Sequence, residues 1–213
     1  MNSLLSSVAS VDSNATACKM STHFPEGVTL GFTDYLAGQP SPVRSSLPKS
    51  IADLEDTSIL FVQHWQRSDH GRAGRVSEQA MIHLDFVANE FLREKVERLG
   101  HGSYQGSLFA AEMNAACGSG VTGTTFAEQV NMVAAGPGNG RIPANVGTPV
   151  VLTLDRLLNK IKHRNRRLIN FRIEAGKHIF LICPEHTSGG AEGIYEFDVE
   201  DFCNRCSTAA ATL

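Results

Sequence analysis

The sequence predicts an α+β protein in which a helical body packs on a small antiparallel sheet, with a zinc-knuckle site near the C-terminal end. Three observations lead to this prediction. Apolar residues recur at helical spacing over residues 77–99. Short strand-like runs separated by turn residues follow one another over 168–199. Finally, Cys183-Pro-Glu-His186 and Cys203-Asn-Arg-Cys206 are two ligand pairs at the spacing of zinc knuckles.

Composition indicates an ordinary globular protein. The chain has 213 residues, of which 42% are hydrophobic and 19% charged, so it can bury a substantial core. The net charge of −3 means that any surface for nucleic acid must be local. No apolar run is long enough to cross a bilayer, and the N-terminus lacks the basic flank of a secretory signal. We therefore expect an intracellular protein of the cytoplasm or nucleus, without a membrane partner, whose five cysteines are thiols or metal ligands.

Residues 1–50 are predicted to form a flexible N-terminal arm. The first part is rich in Ser, Asn, Thr and Ala and has few large apolar residues. A short alternating run at 28–33 is typical of a strand, and proline and serine interrupt residues 39–48 too often for regular structure. The arm is therefore expected to precede the packed body.

Residues 51–150 are predicted to form a mixed, mainly helical body. The apolar run at 58–62 is interpreted as a buried strand. The periodic segment 77–99 is the main helix, with Ser77 as its N-cap, because a serine side chain satisfies free backbone N–H groups there. A second helix is expected over 124–135, where a glycine-rich turn follows the apolar pattern.

Residues 151–213 are predicted to form a basic helix followed by a sheet held by zinc. The helix is expected over 154–166, with leucines on one face and cations on the other. Three strands should follow it, because their apolar residues alternate with polar ones and a glycine turn joins the first two. These strands are expected at 168–173, 178–183 and 194–199.

The predicted zinc ligands are Cys183, His186, Cys203 and Cys206, which would close a tetrahedral Cys₃His site. A site with four protein ligands has no open position, so this zinc would stabilise the fold. Its binding would contribute on the order of 10 kcal/mol of coupled folding free energy. His178 also lies near Cys183 in the sequence, so it remains an alternative to His186 as the fourth ligand.

A basic run directly precedes the zinc segment and indicates nucleic-acid binding. Phosphate groups attract clustered cations, and arginine adds forked hydrogen bonds to phosphate oxygens. The leading hypothesis is a non-enzymatic zinc-finger protein that binds nucleic acid, RNA in preference to DNA, with zinc shaping the surface. The alternative for the run alone is a solvated helix face. The predicted contact residues are Arg156, Lys160, Lys162, Arg164, Arg166 and Arg167.

A second hypothesis keeps the zinc site but makes it a protein-docking module. Acidic residues lie close to the zinc segment in the sequence and would supply the contact edge for a protein partner. They are Glu192, Glu196, Asp198, Glu200 and Asp201.

A third hypothesis is a cysteine hydrolase or transferase built on Cys117. The order Cys117, His178, Asp198 resembles that of papain-like cysteine hydrolases, where an imidazole deprotonates the thiol and a third side chain orients the imidazole. The six residues from Cys117 to Thr122 also resemble the active loop of the mercaptopyruvate sulfurtransferase family, but over those six residues alone. No activity is carried over from that short match.

Overall fold

The computed structural model describes the backbone of residues 43–185 and 193–213, and the side chains from residue 46 onward in these ranges. The strand predicted at 28–33 lies outside the described residues. So do most of the predicted arm and one predicted zinc ligand, His186.

The described residues form an α+β fold, as the sequence predicts, with helices packed on an antiparallel five-stranded sheet. The strand order is β2-β1-β5-β4-β3. The helices are α1 (Val43–Gln66), α2 (His70–Gly100), α3 (Leu108–Met113), α4 (Phe126–Ala134), α5 (Leu154–Lys162) and α6 (Val199–Ala210). The strands are β1 (Ala116–Thr122), β2 (Thr148–Thr153), β3 (Arg164–Glu174), β4 (Lys177–Pro184) and β5 (Gly193–Asp198).

Helix α1 corrects two predictions. The run at 58–62 is helical and not a strand, and residues 43–48 are helical although Pro48 lies among them. A five-residue apolar run fits a buried strand and a buried helix turn equally well. The longer pattern decides for the helix, because Leu47, Leu54 and Phe61 are buried at intervals of seven residues.

Helix α2 confirms the main predicted helix and extends it toward the N-terminus. It begins at His70, and its N-cap is Asp69 and not Ser77, since an Asp69 carboxylate oxygen accepts from the backbone N–H of Arg72 at 3.2 Å. Helix α4 is also confirmed, and a reciprocal capping box between Thr125 and Glu128 fixes its start.

The three C-terminal strands are confirmed, but the basic helix is shorter than predicted. Helix α5 ends at Lys162, and residues 164–167 belong to β3. The apolar face of α5 stops at Ile161, so no further helical turn would gain buried contacts. The β1–β2 pairing was not predicted, and the predicted domain boundary at residue 150 falls inside β2.

The sheet is apolar on both faces. Side chains of Phe180 and Ile182 contact the core formed with α1, α2, α5 and α6, whereas Leu181 and Cys183 belong to a smaller core with Met132 of α4. This division follows from strand geometry, because successive side chains point to opposite faces of a sheet. We call these two clusters the helix-side core and the α4-side core.

Gly120 in β1 leaves the space that the buried Tyr195 ring occupies on the neighbouring strand β5. A Cβ atom at Gly120 would lie 2.5 Å from the Ile194 carbonyl oxygen and 2.6 Å from Tyr195 Cδ1. We expect Gly120→Ala to lower the free energy of unfolding by about 1–3 kcal/mol in urea denaturation, because the strand must shift. Gly74→Ala is the control: it places a methyl group in open space on α2 and should stabilise the protein slightly. Equal effects of the two changes would contradict the packing argument.

Candidate functional site

The structure separates the predicted cysteine ligands. Cys183 lies on β4 in the α4-side core, whereas Cys203 and Cys206 lie in the helix-side core. The sheet therefore stands between the two sets of thiols. A tetrahedral zinc site needs all its sulfur ligands about 2.3 Å from one ion, and this arrangement does not bring the three sulfurs together.

The second predicted zinc knuckle lies within a helix. Cys203 and Cys206 both lie in α6. They occupy its buried face with Val199, Phe202 and Ala209, at the spacing of an ordinary amphipathic helix. Burial raises the pKa of the Cys203 thiol to about 12 and that of Cys206 well above its ordinary value, so both are protonated at neutral pH.

Across the described ranges, no group of three or more His, Cys, Asp or Glu side chains is arranged to hold a metal ion. The predicted ligand His186 falls outside those ranges. The alternative ligand, His178, lies on β4, where its Nδ1 atom is 2.8 Å from the Ser58 hydroxyl oxygen. The zinc site predicted at Cys183, His186, Cys203 and Cys206 is therefore unconfirmed.

The six predicted cations divide into two groups. Arg164 is buried, and its guanidinium forms a bidentate ion pair with Asp85, with N–O distances of 2.6 Å and 3.0 Å. The Lys160 ammonium lies 5.0 Å from the centre of the Tyr195 ring, and burial, reinforced by the nearby Arg156, lowers its pKa. The remaining four are exposed: Arg156, Lys162, Arg166 and Arg167.

These four exposed cations form no ion pair with the described residues. Outside 156–167, the described Lys and Arg side chains do form ion pairs, with the exceptions of Arg67 and Arg75. Unpaired positive charge in the described residues is thus concentrated in α5 and at the start of β3, apart from Arg67 and Arg75. We call Arg156, Lys162, Arg166 and Arg167 the α5–β3 basic surface.

The predicted acidic edge is largely neutralised. Glu196 accepts from the Arg172 guanidinium at 2.7 Å, and Lys177 lies within 3.2 Å of both Asp198 and Asp201. Glu192 lies outside the described residues, and Glu200 has no ion pair among the residues inside them. Most of this edge is therefore committed to contacts within the fold.

Cys117 lies in a groove with a volume of about 600 Å³. The groove runs between the start of β1 and the exposed face of α6 that carries Asp201, Asn204, Arg205 and Thr208. Burial raises the pKa of the Cys117 thiol to about 12, although Arg205 acts in the opposite direction. At neutral pH the thiol is protonated, which is the opposite of what a cysteine nucleophile requires.

The structure does not unite the third predicted constellation around the thiol. Asp198 borders the Cys117 groove, but His178 does not, and the hydroxyl of Ser58 occupies the Nδ1 side of its ring. His178 and Asp198 instead line a different cavity, together with Ser58. Nothing in the sequence singled out Ser58, because an isolated serine within an apolar run carries no signal of its own and 120 residues separate it from His178.

Comparison with family models, with curated proteins and with solved structures finds no match to this chain. The described helices include none with the length and apolar character needed to span a membrane. Any function must therefore be argued from the side chains of the sites themselves.

Proposed function

We propose that the α5–β3 basic surface binds nucleic acid, and RNA in particular, through its phosphate groups. The observation that supports this proposal is the set of exposed cations without ion pairs in residues 156–167. A cation already paired with a carboxylate gains little by contacting a phosphate, whereas a free cation exchanges only its water and mobile counterions.

The composition of this segment favours contacts with the nucleic-acid backbone over contacts with the bases. Residues 154–168 contain no Phe, Tyr or Trp on which a base could stack. The guanidinium group of arginine can donate two parallel hydrogen bonds to phosphate oxygens. Contacts with phosphate carry no direct sequence information. The proposed activity is therefore non-enzymatic binding with little sequence preference and strong dependence on salt.

Two predicted contact residues are assigned different roles. Arg164 neutralises Asp85 inside the protein, and we give it a structural role. Lys160 covers the Tyr195 ring, so it contributes charge at the margin of the surface. This proposal does not depend on the predicted zinc ion, because none of the four exposed cations is a metal ligand.

Replacing Arg166 and Arg167 together with glutamine should weaken binding to a 20-nucleotide single-stranded RNA at least tenfold at low salt. Each lost phosphate contact also lowers the slope of log affinity against log salt, by about 0.7 on a single strand. Fluorescence anisotropy at several salt concentrations measures both quantities. A DNA strand of the same sequence tests the preference for RNA.

The matched control is Arg67→Gln with Arg75→Gln, which removes the same charge from exposed positions outside the surface. This control should bind RNA nearly as tightly as the unchanged protein, and a chelator should not alter binding. The proposal is wrong if the unchanged protein does not bind RNA at low salt, or if both double variants lose affinity equally. Binding that a chelator abolishes would instead implicate the predicted zinc site.

A further inference from the structure

A cavity of about 210 Å³ lies between α1, the turn that joins β3 to β4, and the junction of β5 with α6. It brings together three side chains that are far apart in the sequence, Ser58, His178 and Asp198. The same wall carries Lys177, whose ammonium lies 2.8 Å from an Asp198 carboxylate oxygen. This cavity is separate from the α5–β3 basic surface.

Ser58 and His178 are already joined within the cavity wall, because the Ser58 hydroxyl oxygen lies 2.8 Å from His178 Nδ1. Aromatic rings hold the imidazole in place. Phe61 stacks on it at 4.8 Å between ring centres, and Phe171 meets it edge-on at 5.8 Å. A hydroxyl group in contact with an oriented imidazole is the arrangement that activates a serine nucleophile.

The imidazole is in the charge state that this role requires. Burial lowers the pKa of His178 to about 4, and the Asp198 carboxylate acts in the opposite direction. At neutral pH the ring is uncharged, so with the proton on Nε2 its Nδ1 atom accepts the hydrogen bond of the Ser58 hydroxyl. A neutral ring can then take the hydroxyl proton during attack.

A second, apolar cavity lined by the same pair indicates the size of the substrate. Ser58 and His178 also line this inner space of about 40 Å³, together with Leu54, Met81 and Leu84. A cavity needs about 10–15 Å³ of such space to hold one water molecule, so this one accepts a short alkyl group. The polar outer cavity and the apolar inner one match the two ends of a short-chain acyl ester.

We propose that Ser58 is a nucleophile, with His178 as its general base, in a site for short-chain acyl esters. The Ser58 oxygen forms a bond to the carbonyl carbon, and its proton passes to His178 Nδ1. The ester C–O bond then breaks, and the departing alcohol oxygen takes that proton from His178. Water attacks the acyl-serine in the same way, which releases the carboxylic acid and restores the serine hydroxyl.

A small alkyl fluorophosphonate tests the nucleophile directly. The serine oxygen forms a bond to phosphorus, fluoride leaves, and the serine proton is lost, so the adduct is stable. Intact-mass measurement and peptide mapping of the whole chain should show one adduct, located on Ser58. Ser58→Ala should abolish the adduct, and hydrolysis of p-nitrophenyl acetate should fall at least tenfold.

Ser207→Ala is the matched control, because Ser207 is an exposed serine of α6 that lines neither cavity. This variant should still form the adduct and still hydrolyse p-nitrophenyl acetate. His178→Gln should slow labelling at least tenfold, and circular dichroism identifies any loss of fold in this variant. Ser58→Cys keeps a nucleophile and should be alkylated by iodoacetamide at residue 58. No adduct on the unchanged protein, or an adduct that persists in Ser58→Ala, would overturn the proposal.

Discussion

Replacing Asp85 with alanine is expected to lower the free energy of unfolding by about 3 kcal/mol. Asp85 is the carboxylate partner of Arg164, whose side chain is only 5% exposed. Without Asp85 the guanidinium stays buried with the Ile161 carbonyl oxygen as its one remaining acceptor among the described residues. An uncompensated buried charge is far more costly than a lost surface contact. Urea denaturation followed by circular dichroism measures the effect.

The control for this prediction is Asp53→Ala, which removes the exposed pair with Lys49 on α1. It should cost less than about 1 kcal/mol, because solvent screens an exposed pair. The double change Asp85→Leu with Arg164→Met should recover much of the stability that Asp85→Ala loses, since it removes both charges and fills the space. A double variant less stable than Asp85→Ala would contradict this account.

The same ion pair affects how variants of the basic run are interpreted. Changing Arg164 removes a structural contact, so weaker RNA binding by such a variant would not identify a phosphate contact. Arg166 and Arg167 are exposed, and their replacement should leave stability within about 0.5 kcal/mol of the unchanged protein. Stability measured beside RNA affinity therefore separates the two roles.

Acid is expected to destabilise the protein through His178. The pKa of this imidazole is about 4 in the folded chain, against 6.5 for an ordinary histidine. The unfolded chain therefore binds a proton that the folded chain excludes. Stability should be highest above pH 6.5, fall as the pH drops from 6.5 to about 4, and lose about 3 kcal/mol over that window.

His178→Gln tests this expectation, because it removes the titrating group. The stability difference between the unchanged protein and this variant should be constant above pH 6.5 and shift in favour of the variant below it. The other charged groups lining the same cavity, Glu55, Lys177, Asp198 and Glu200, remain in both proteins. His163→Gln changes an exposed histidine and should keep the full dependence on pH. Parallel stability curves for the unchanged protein and His178→Gln would show that burial of this imidazole is not the cause.

The sequence by itself determined the elements that have a long periodic pattern or whose two strands are joined by a short turn. Helix α2 has a repeated apolar stripe over more than six turns, and the β3–β4 hairpin has alternating strands joined through Ala175 and Gly176. The apolar face of α5 was also predicted correctly, because leucines at helical spacing lie on one side of the helix and that side is buried. In each case the information lies within a few neighbouring residues, where backbone geometry fixes the relation between positions.

Only the tertiary structure decided which distant side chains meet. The spacing of Cys183, Cys203 and Cys206 fits a metal site, yet the sheet separates Cys183 from the other two. Arg164 belongs to a basic run in the sequence, but Asp85 of α2 turns it into a buried ion pair. Ser58 and His178 became a candidate site only when α1 packed on β4. Spacing along a chain specifies neighbours within one element, whereas contacts between elements depend on how the whole core is packed.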